Sequence, residues 1–273
     1  MKNRIINGAM VIDQRNAGAS VTQTNSGVYT LDRWFAYGDV TSKFTVQQNA
    51  GSVTPPAGFV NYLGCTSSSA YTVGATEIYV VQQMIEGYNI ADLGWGTANA
   101  KTITLSFWVR SSLTGTFGGS LKNNGGTRSY PFSYTISSAN TWEQKSITVA
   151  GDTSGTWLTT NGLGIRLSYG LGAGSTASNT AGAWVAGNYT SATGATSVVG
   201  TSGATFYITG VQLEVGSSAT GFEYRNIGTE LALCQRYYEK SYDTGTATAT
   251  ATSVGEISSY GNAASLTLSL IHI

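Results

Sequence analysis

Six tryptophans stand in a chain of 273 residues, and two of them fall where strand-like alternation breaks off. Trp95 lies in "LGWGTAN" and Trp184 in "AGAWVAGNYT", both among glycine and alanine, with Tyr189 five positions after Trp184. An aromatic side chain in such a loop serves one of two ends. It anchors the loop to the core, or it offers a flat face to the apolar C–H side of a sugar ring. The hydroxyls of that ring need amides, carboxylates or arginine, and Asn161, Asn188 and Arg166 are candidates for that work. The carbohydrate-binding set read from the sequence is therefore Trp95, Trp184, Tyr189, Asn188, Asn161 and Arg166, with the anchor reading open beside it. Of the other tryptophans, Trp34 and Trp108 sit in strand patterns, while Trp142 and Trp157 border turns.

Other chemistries find little to work with. The one histidine is His272, at the end of the chain, so neither a Ser-His-Asp nor a Cys-His arrangement is expected. Cys65 and Cys234 lie far apart in sequence and form no CxxC pair, which suits two buried thiols better than a metal site or a disulfide framework. Glycoside hydrolysis needs two carboxylates roughly 5–10 Å apart. Asp13, Asp32, Asp39, Glu77, Glu86, Asp92, Glu143, Asp152 and Glu214 are available, but none stands in a telling motif. "GAGSTAS" is glycine-rich yet lacks the Lys-Ser/Thr of a phosphate loop. A non-enzymatic protein is expected.

Composition narrows the class further. Apolar residues make up 41% and aromatics 11%, enough for a proper core. Charged residues are only 10%, against about 25% in an average soluble protein. No apolar run approaches the roughly 20 residues of a spanning helix, so no membrane insertion is expected. The formal net charge is zero, with no Lys/Arg cluster, so nucleic acid is not an expected partner. What remains is an exterior of hydroxyls and amides.

Period-two patterns supply the scaffold that must carry the candidate residues. "TITLSFWVRSS" puts Ile103, Leu105, Phe107 and Val109 on one face, and "GLGIRLSYG" does the same with Leu163, Ile165, Leu167 and Tyr169. "WEQKSITVAG", "YTLDRWFA", "SKFTVQQN" and "EIYVVQQMI" add further strands, punctuated by turns such as "NNGG" and "GDTSGT". The fold expected is all-β, an antiparallel β-sandwich of jelly-roll type followed by one short α-helix. In "FYITGVQLEVGSSATGFEYR", Phe206 and Ile208 hold one phase while Val211, Leu213 and Val215 hold the other. That slip predicts a β-bulge at Thr209-Gly210, with Gln212 and Glu214 sharing the opposite face.

"TELALCQRYYEKS" breaks the pattern, with Leu231, Cys234 and Tyr238 at helical spacing. It predicts a helix of about three turns, capped by Thr229 and ending before Asp243. Its aromatic stripe packs either on its own sandwich or on a neighbouring subunit. Residues 1–220 are thus read as the sandwich and 221–243 as linker and helix, while 244–273 are read as the start of a truncated further β module. The closing "LSLIHI" is what CTG TCT CTT ATA CAC ATC encodes. That resembles a transposase adapter from sequencing libraries, so those residues are expected to be an artefact.

Two stretches at opposite ends of the sandwich carry a resemblance. "NRIINGAMVIDQRN" (Asn3 to Asn16) with "YTLDRW" (Tyr29 to Trp34) opens the chain, and "ITGVQLEVGSSATGFEYRNIGTELALCQRYYEKSY" closes it. Together they resemble a family of bacteriophage tail-fibre and virion structural proteins whose jelly roll is similar to galactose-binding-like carbohydrate modules. The match covers roughly residues 1–242, and Gly221 departs from it where the family often has proline. The resemblance implies a virion location, assembly in the host cytoplasm, other virion proteins as partners, a homo-oligomer (commonly a trimer), and host cell-surface glycan as ligand. It also raises a structural calcium, with Asp13 and Glu214 the nearest ligands by analogy. It leaves two alternatives: a purely structural spacer or decoration domain, and a polysaccharide depolymerase. It places Glu223 and Arg225 of "FEYR" where the chain leaves the sandwich for the helix, pairing with groups at the sheet edge.

Overall fold

The computed structural model describes residues 2–242 and 246. Apart from Thr246, the further module expected at 244–273, with His272, lies outside the described residues. In chain order the first strands are β1 (Val21–Thr22), β2 (Val28–Tyr29), β3 (Trp34–Gly38), β4 (Phe44–Gln48) and β5 (Leu63–Ser67). There follow β6 (Ile78–Glu86), β7 (Ile103–Ser111), β8 (Gly115–Lys122), β9 (Arg128–Ile136) and β10 (Glu143–Val149). The last are β11 (Leu163–Ala173), β12 (Ser178–Asn179), β13 (Val185–Ala186), β14 (Ser191–Ala192) and β15 (Thr205–Val215), before helix α1 (Ile227–Gln235). Two antiparallel sheets form the sandwich. One has the order β1-β4-β5-β15-β7-β10, the other β13-β9-β8-β11-β6-β3-β2. Strands β12 and β14 make a small parallel pair over the second sheet. This is a jelly-roll β-sandwich with a single short α-helix.

The expected inward residues close the interior. Ile103, Leu105, Phe107 and Val109 of β7 are fully buried, as are Ile165, Leu167 and Tyr169 of β11, while Leu163 is half-buried at the strand's mouth. Rings meet across the two layers: Phe107 lies 5.1 Å from Tyr169 and 5.0 Å from Tyr134, both edge to face. Each such side chain contributes roughly 1.5–3 kcal/mol by leaving water. "YTLDRW" gives two strands rather than one. Arg33 adopts φ 72° in the turn between β2 and β3, and its guanidinium bonds to the Met84 carbonyl.

The phase slip in β15 is a bulge. Thr209 pairs with Trp108 and Gln212 with Ser106, so Gly210 and Val211 together oppose Phe107 alone. Phe206, Ile208, Val211 and Leu213 consequently all reach the core. Gln212 and Glu214 share the opposite face, where the Gln212 amide donates to Glu214 Oε1 at 2.8 Å. Val215, expected inward, is exposed beyond the last core layer. Gly210 has φ 60°, and a Cβ there would fall 2.5 Å from the Phe59 ring. The bulge therefore needs glycine for two reasons, backbone and space.

Residues of the two end motifs form one largely buried network. The N-terminal segment from Asn3 to Ile12 has no strand of its own, so its backbone groups need other partners. Gln83 takes both the N–H (3.0 Å) and the carbonyl (2.9 Å) of Ile6. Asn3 spans the bulge, donating to Val211 O at 3.1 Å and accepting from Leu213 N at 3.0 Å. Asn7 bridges to Ile12 in both directions, and the Trp34 indole donates to the Asn7 carbonyl at 3.1 Å. From the chain's other end, Arg225 donates to the carbonyls of Asn3 and Ile5, Glu223 accepts from Asn3 N, and Glu230 accepts from Asn7 N. "FEYR" thus clasps the N-terminal segment rather than a strand edge.

Helix α1 begins three residues earlier and ends sooner than its sequence predicts. Asn226 is the cap, its Oδ1 accepting from Gly228 N at 2.9 Å, and Thr229 is exposed inside the first turn. Beyond Gln235 the side chains turn to tertiary partners instead. Arg33 lies 3.4 Å over the Tyr237 ring and Arg15 lies 3.6 Å over Tyr238. Arg236 and Tyr237 both bond to Glu86. Cys234 packs on Ile6 and Ile12, so the stripe is spent on its own chain.

Gly210→Ala should lower the unfolding free energy by about 2–3 kcal/mol, measured by denaturant titration. Gly203→Ala has a similar φ of 70° but open space around the Cβ, and should cost only about 1 kcal/mol. Equal costs would remove the steric part of the argument.

A second outcome concerns acid. Hydrogen bonding from Arg236, with Tyr237 adding to it, lowers the Glu86 carboxyl from 4.5 to about 2. Its contribution to stability is complete above about pH 4.5 and fades as pH falls towards 2. The melting-temperature gap between the native protein and Glu86→Gln should shrink across that window, and a gap constant with pH would contradict the pairing.

Candidate functional site

Alternation decides what the outer face of the seven-stranded sheet presents. With Leu121, Leu167 and Val81 pointing into the core, Ser120, Lys122, Arg166, Ser168, Gln82 and Met84 point outward. Register then aligns them in rows. Met84, Arg166, Lys122 and Ser129 are successive partners across β6, β11, β8 and β9, and Gln82, Ser168 and Ser120 form the row beside them. Two cations thus stand side by side on a face otherwise made of small hydroxyls, an amide and a thioether.

The loop between β13 and β14 folds over this row. Ser129 Oγ accepts from Tyr189 N at 3.0 Å and donates to the Gly187 carbonyl at 2.5 Å. That places Asn188 and Thr190 above Lys122, whose Nζ donates to Asn188 Oδ1 at 2.9 Å and to Thr190 Oγ1 at 2.8 Å. Lys122 is only 3% exposed. Among the described residues no carboxylate pairs with Lys122 or Arg166. Arg166 Nε and Ser120 Oγ are buried with no hydrogen-bond partner there. Burial pushes Lys122 down to about 8, and the neighbouring Arg166 charge acts in the same direction. Burial also lowers Arg166.

The tryptophans form a different cluster. Trp95, Trp157 and Trp184 meet edge to face, with ring centroids 4.7, 5.2 and 5.3 Å apart. Each indole N–H goes to a loop carbonyl: Trp95 to Lys101 at 2.8 Å, Trp157 to Ser154 at 3.1 Å and Trp184 to Ala150 at 2.7 Å. Trp95 and Trp157 are buried, and Trp184, which also packs on Tyr130, is half-buried. The three rings pin three loops together beside the Arg128–Asp152 pair, whose guanidinium donates at 2.8 and 2.7 Å. Of the six residues picked from the sequence, the fold brings Arg166 and Asn188 together around Lys122, with Tyr189 next in the same loop. It places Trp95 in the buried cluster, Trp184 at that cluster's half-exposed edge, and Asn161 in a shallow hollow with Met84, Glu86 and Tyr237. Lys122, Thr190 and Trp157 were not picked. Lys122 closes the "FGGSLK" alternation on the outer phase, which was readable, but its Arg166 neighbour follows only from register.

Asp13 and Glu214 do not fit a calcium site. Asp13 accepts from Asn16 N at 3.0 Å and Gly18 N at 2.7 Å, closing its own turn. Glu214 accepts from Gln212 Nε2, Thr220 N and Thr220 Oγ1. A cation would face those donor hydrogens, whereas Ca²⁺ needs six to eight free oxygens. Among the described residues, no group of three or more His, Cys, Asp or Glu could hold a metal. Cys65 and Cys234 are free and buried.

No family model and no curated protein sequence matches the chain. Solved structures similar in fold include the enzymatically active domain of bacteriophage CBA120 tailspike protein 4. It shares 12% identity and a TM-score of 0.42 over 78% of this chain. This chain spans only 21% of that tailspike's length. A Bacteroides thetaiotaomicron protein described as a candidate sugar-binding protein gives 13% identity, a TM-score of 0.45, and coverage of 79% and 100%. TmCBM61 in complex with beta-1,4-galactotriose gives 11%, 0.38, and coverage of 79% and 100%.

Removing the buried charge should help the fold. Lys122→Met should raise the unfolding free energy by about 1 kcal/mol at neutral pH, because an ammonium held by neutral acceptors gives way to an apolar side chain of similar length. The unfolded chain keeps the Lys122 proton up to about 10.5 while the folded chain releases it near 8. The penalty is therefore full below about pH 8 and is relieved as pH rises towards 10.5. Denaturation of both proteins across that range should show the gap closing, and a destabilised variant at every pH would assign Lys122 a purely structural role.

Proposed function

We propose that this chain is a phage virion or tail-fibre component that binds host cell-surface carbohydrate, without cutting it, through the outer face of its seven-stranded sheet. The observation that carries this is the convergence of Arg166, Lys122, Asn188 and Thr190 from three separate segments, with Arg166 unspent on the protein itself. Amide, hydroxyl and guanidinium are the groups that sugar hydroxyls pair with, and half-exposed Tyr189 offers a ring beside them. The motifs at the two ends of the chain resemble phage fibre proteins, which is the ground for the virion location, for virion partners and for a homo-oligomer, commonly a trimer. Several weak copies on one particle would then add through effective concentration.

Hydrolysis has less support in the geometry. Glu86, Asp92, Asp152 and Glu143 are each ion-paired, and Asp39 and Glu77 accept from tyrosines. The spacer reading has one observation in its favour: the buried tryptophan cluster spends Trp95, and most of Trp184, on holding loops together.

A glycan array probed with the intact protein and with Asn188→Ala decides between binder and spacer. Asn188 is exposed, but its Oδ1 is one of two acceptors of the buried Lys122 ammonium, so melting curves accompany the array. In protein that still folds, its loss should weaken binding about tenfold. An intact protein that binds nothing on a broad array supports the spacer.

A further inference from the structure

The outer-face site holds charge that the chain does not answer. Lys122 has an almost wholly buried ammonium with two neutral acceptors, which leaves one of its three N–H groups unassigned. Arg166 stands directly across the ladder with its Nε buried and unpartnered, and no carboxylate among the described residues pairs with either group. Two half-buried cations are answered by acids, Arg225 by Glu223 and Glu230 and Arg128 by Asp152. Buried Arg33, also without a carboxylate among the described residues, lies over the Tyr237 ring and bonds to the Met84 carbonyl, whereas Arg166 has neither kind of partner among them. Two adjacent cations without an acid cost stability, and an apolar side chain at 122 would spare the fold that cost. Such a pair finds its compensation in something that arrives from outside.

We infer that Lys122 and Arg166 seat the anionic group of an acidic glycan. The inference rests on the glycan-binding reading and names the ligand class of that same site. A guanidinium fork takes two oxygens of a carboxylate, sulfate or phosphate in parallel, and an ammonium adds a point charge. Of the polar groups around the pair, Asn188 is exposed and suits a hydroxyl of the sugar that bears the charge, while Ser120 and Thr190 are buried. The neutral acceptors on Lys122 hold its Nζ in place without cancelling its charge, which leaves the field free for the ligand.

Titration calorimetry with the full chain tests this with α-1,4-trigalacturonate, its methyl ester and a heparin-derived tetrasaccharide. The free acid should bind at least about tenfold more tightly than the ester, which keeps every hydroxyl and lacks only the charge. Tighter binding of the heparin fragment would also support the seat and would name sulfate as the group. Arg166→Gln, whose side chain has no protein partner to lose, should abolish the preference. Arg166→Lys should restore part of it, and melting curves confirm that both variants fold. An ester bound as tightly as the acid overturns the inference and leaves the glycan reading standing. Inorganic sulfate matching the charged oligosaccharides, with no gain from sugar, keeps the anion seat and removes the glycan reading. Acid preference that persists in Arg166→Gln and in Lys122→Met places the anion elsewhere and overturns the assignment.

Discussion

The fold depends on satisfying the backbone of a segment that belongs to neither sheet. Asn3 to Ile12 enters the molecule without a ladder, and every buried N–H and C=O along it costs about 1–3 kcal/mol if left bare. Side chains supply what a neighbouring strand would have supplied. Gln83 imitates a strand edge for Ile6, Asn3 stitches across the β15 bulge, and Arg225 reaches back from the far end of the chain to close the carbonyls of Asn3 and Ile5. Gly8 lets the segment lie against the sheet, since a Cβ there would meet the Val211 carbonyl at 2.2 Å. The two termini of the described fold are thereby bound to one another, and α1 can dock because Ile6 and Ile12 offer it a floor.

That closure also explains what the motifs at the two ends of the sandwich are for. Asn3, Asn7, Asp32, Arg33, Trp34, Glu223, Arg225 and Glu230 have the look of a functional constellation in sequence, being polar, charged and set in recognisable spacings. In the structure Asn3, Asn7, Asp32, Arg33, Trp34 and Glu230 are buried and Glu223 and Arg225 half-buried, and they bond mainly to one another or to backbone. Arg225 lies between Glu223 and Glu230 and Arg236 covers Glu86, whereas Arg33 has no carboxylate partner among the described residues and rests on the Tyr237 ring. A network bonded so largely to itself and to backbone resists change.

The outer face of the seven-stranded sheet is organised by the opposite logic. There the strands carry Ser120, Ser168 and Gln82, all buried, and two cations with no acid opposite them among the described residues. Rigidity comes from the side. The Trp95–Trp157–Trp184 cluster fixes the loops around Ala150 and Lys101, and the β13–β9 pairing holds the loop that carries Asn188 and Thr190. Aromatic rings thus serve this face indirectly, by keeping the loop over it in register.

Much of this architecture was written in local pattern. Alternation along 103–109 and 163–169 sets the inward face of a strand whatever its neighbours are, so the sandwich followed from period two. The bulge followed from the slip at Gly210, because a one-residue insertion is the only way to keep Ile208 and Val211 both inward. Helix α1 was legible in type but not in its ends, since Asn226 outcompetes Thr229 as a cap and, beyond Gln235, Arg236 and Tyr237 are tied to Glu86. The site itself was half legible. Arg166 and Asn188 were visible as residue types, whereas Lys122 gains its meaning only when strand register sets it beside Arg166 and a loop sixty residues on covers it. Sequence by itself determined which side of each strand faces the core, because that is a property of consecutive residues. Tertiary structure alone decided which charges are answered and which are not, because the distance between two ions depends on the pairing of strands that lie far apart along the chain.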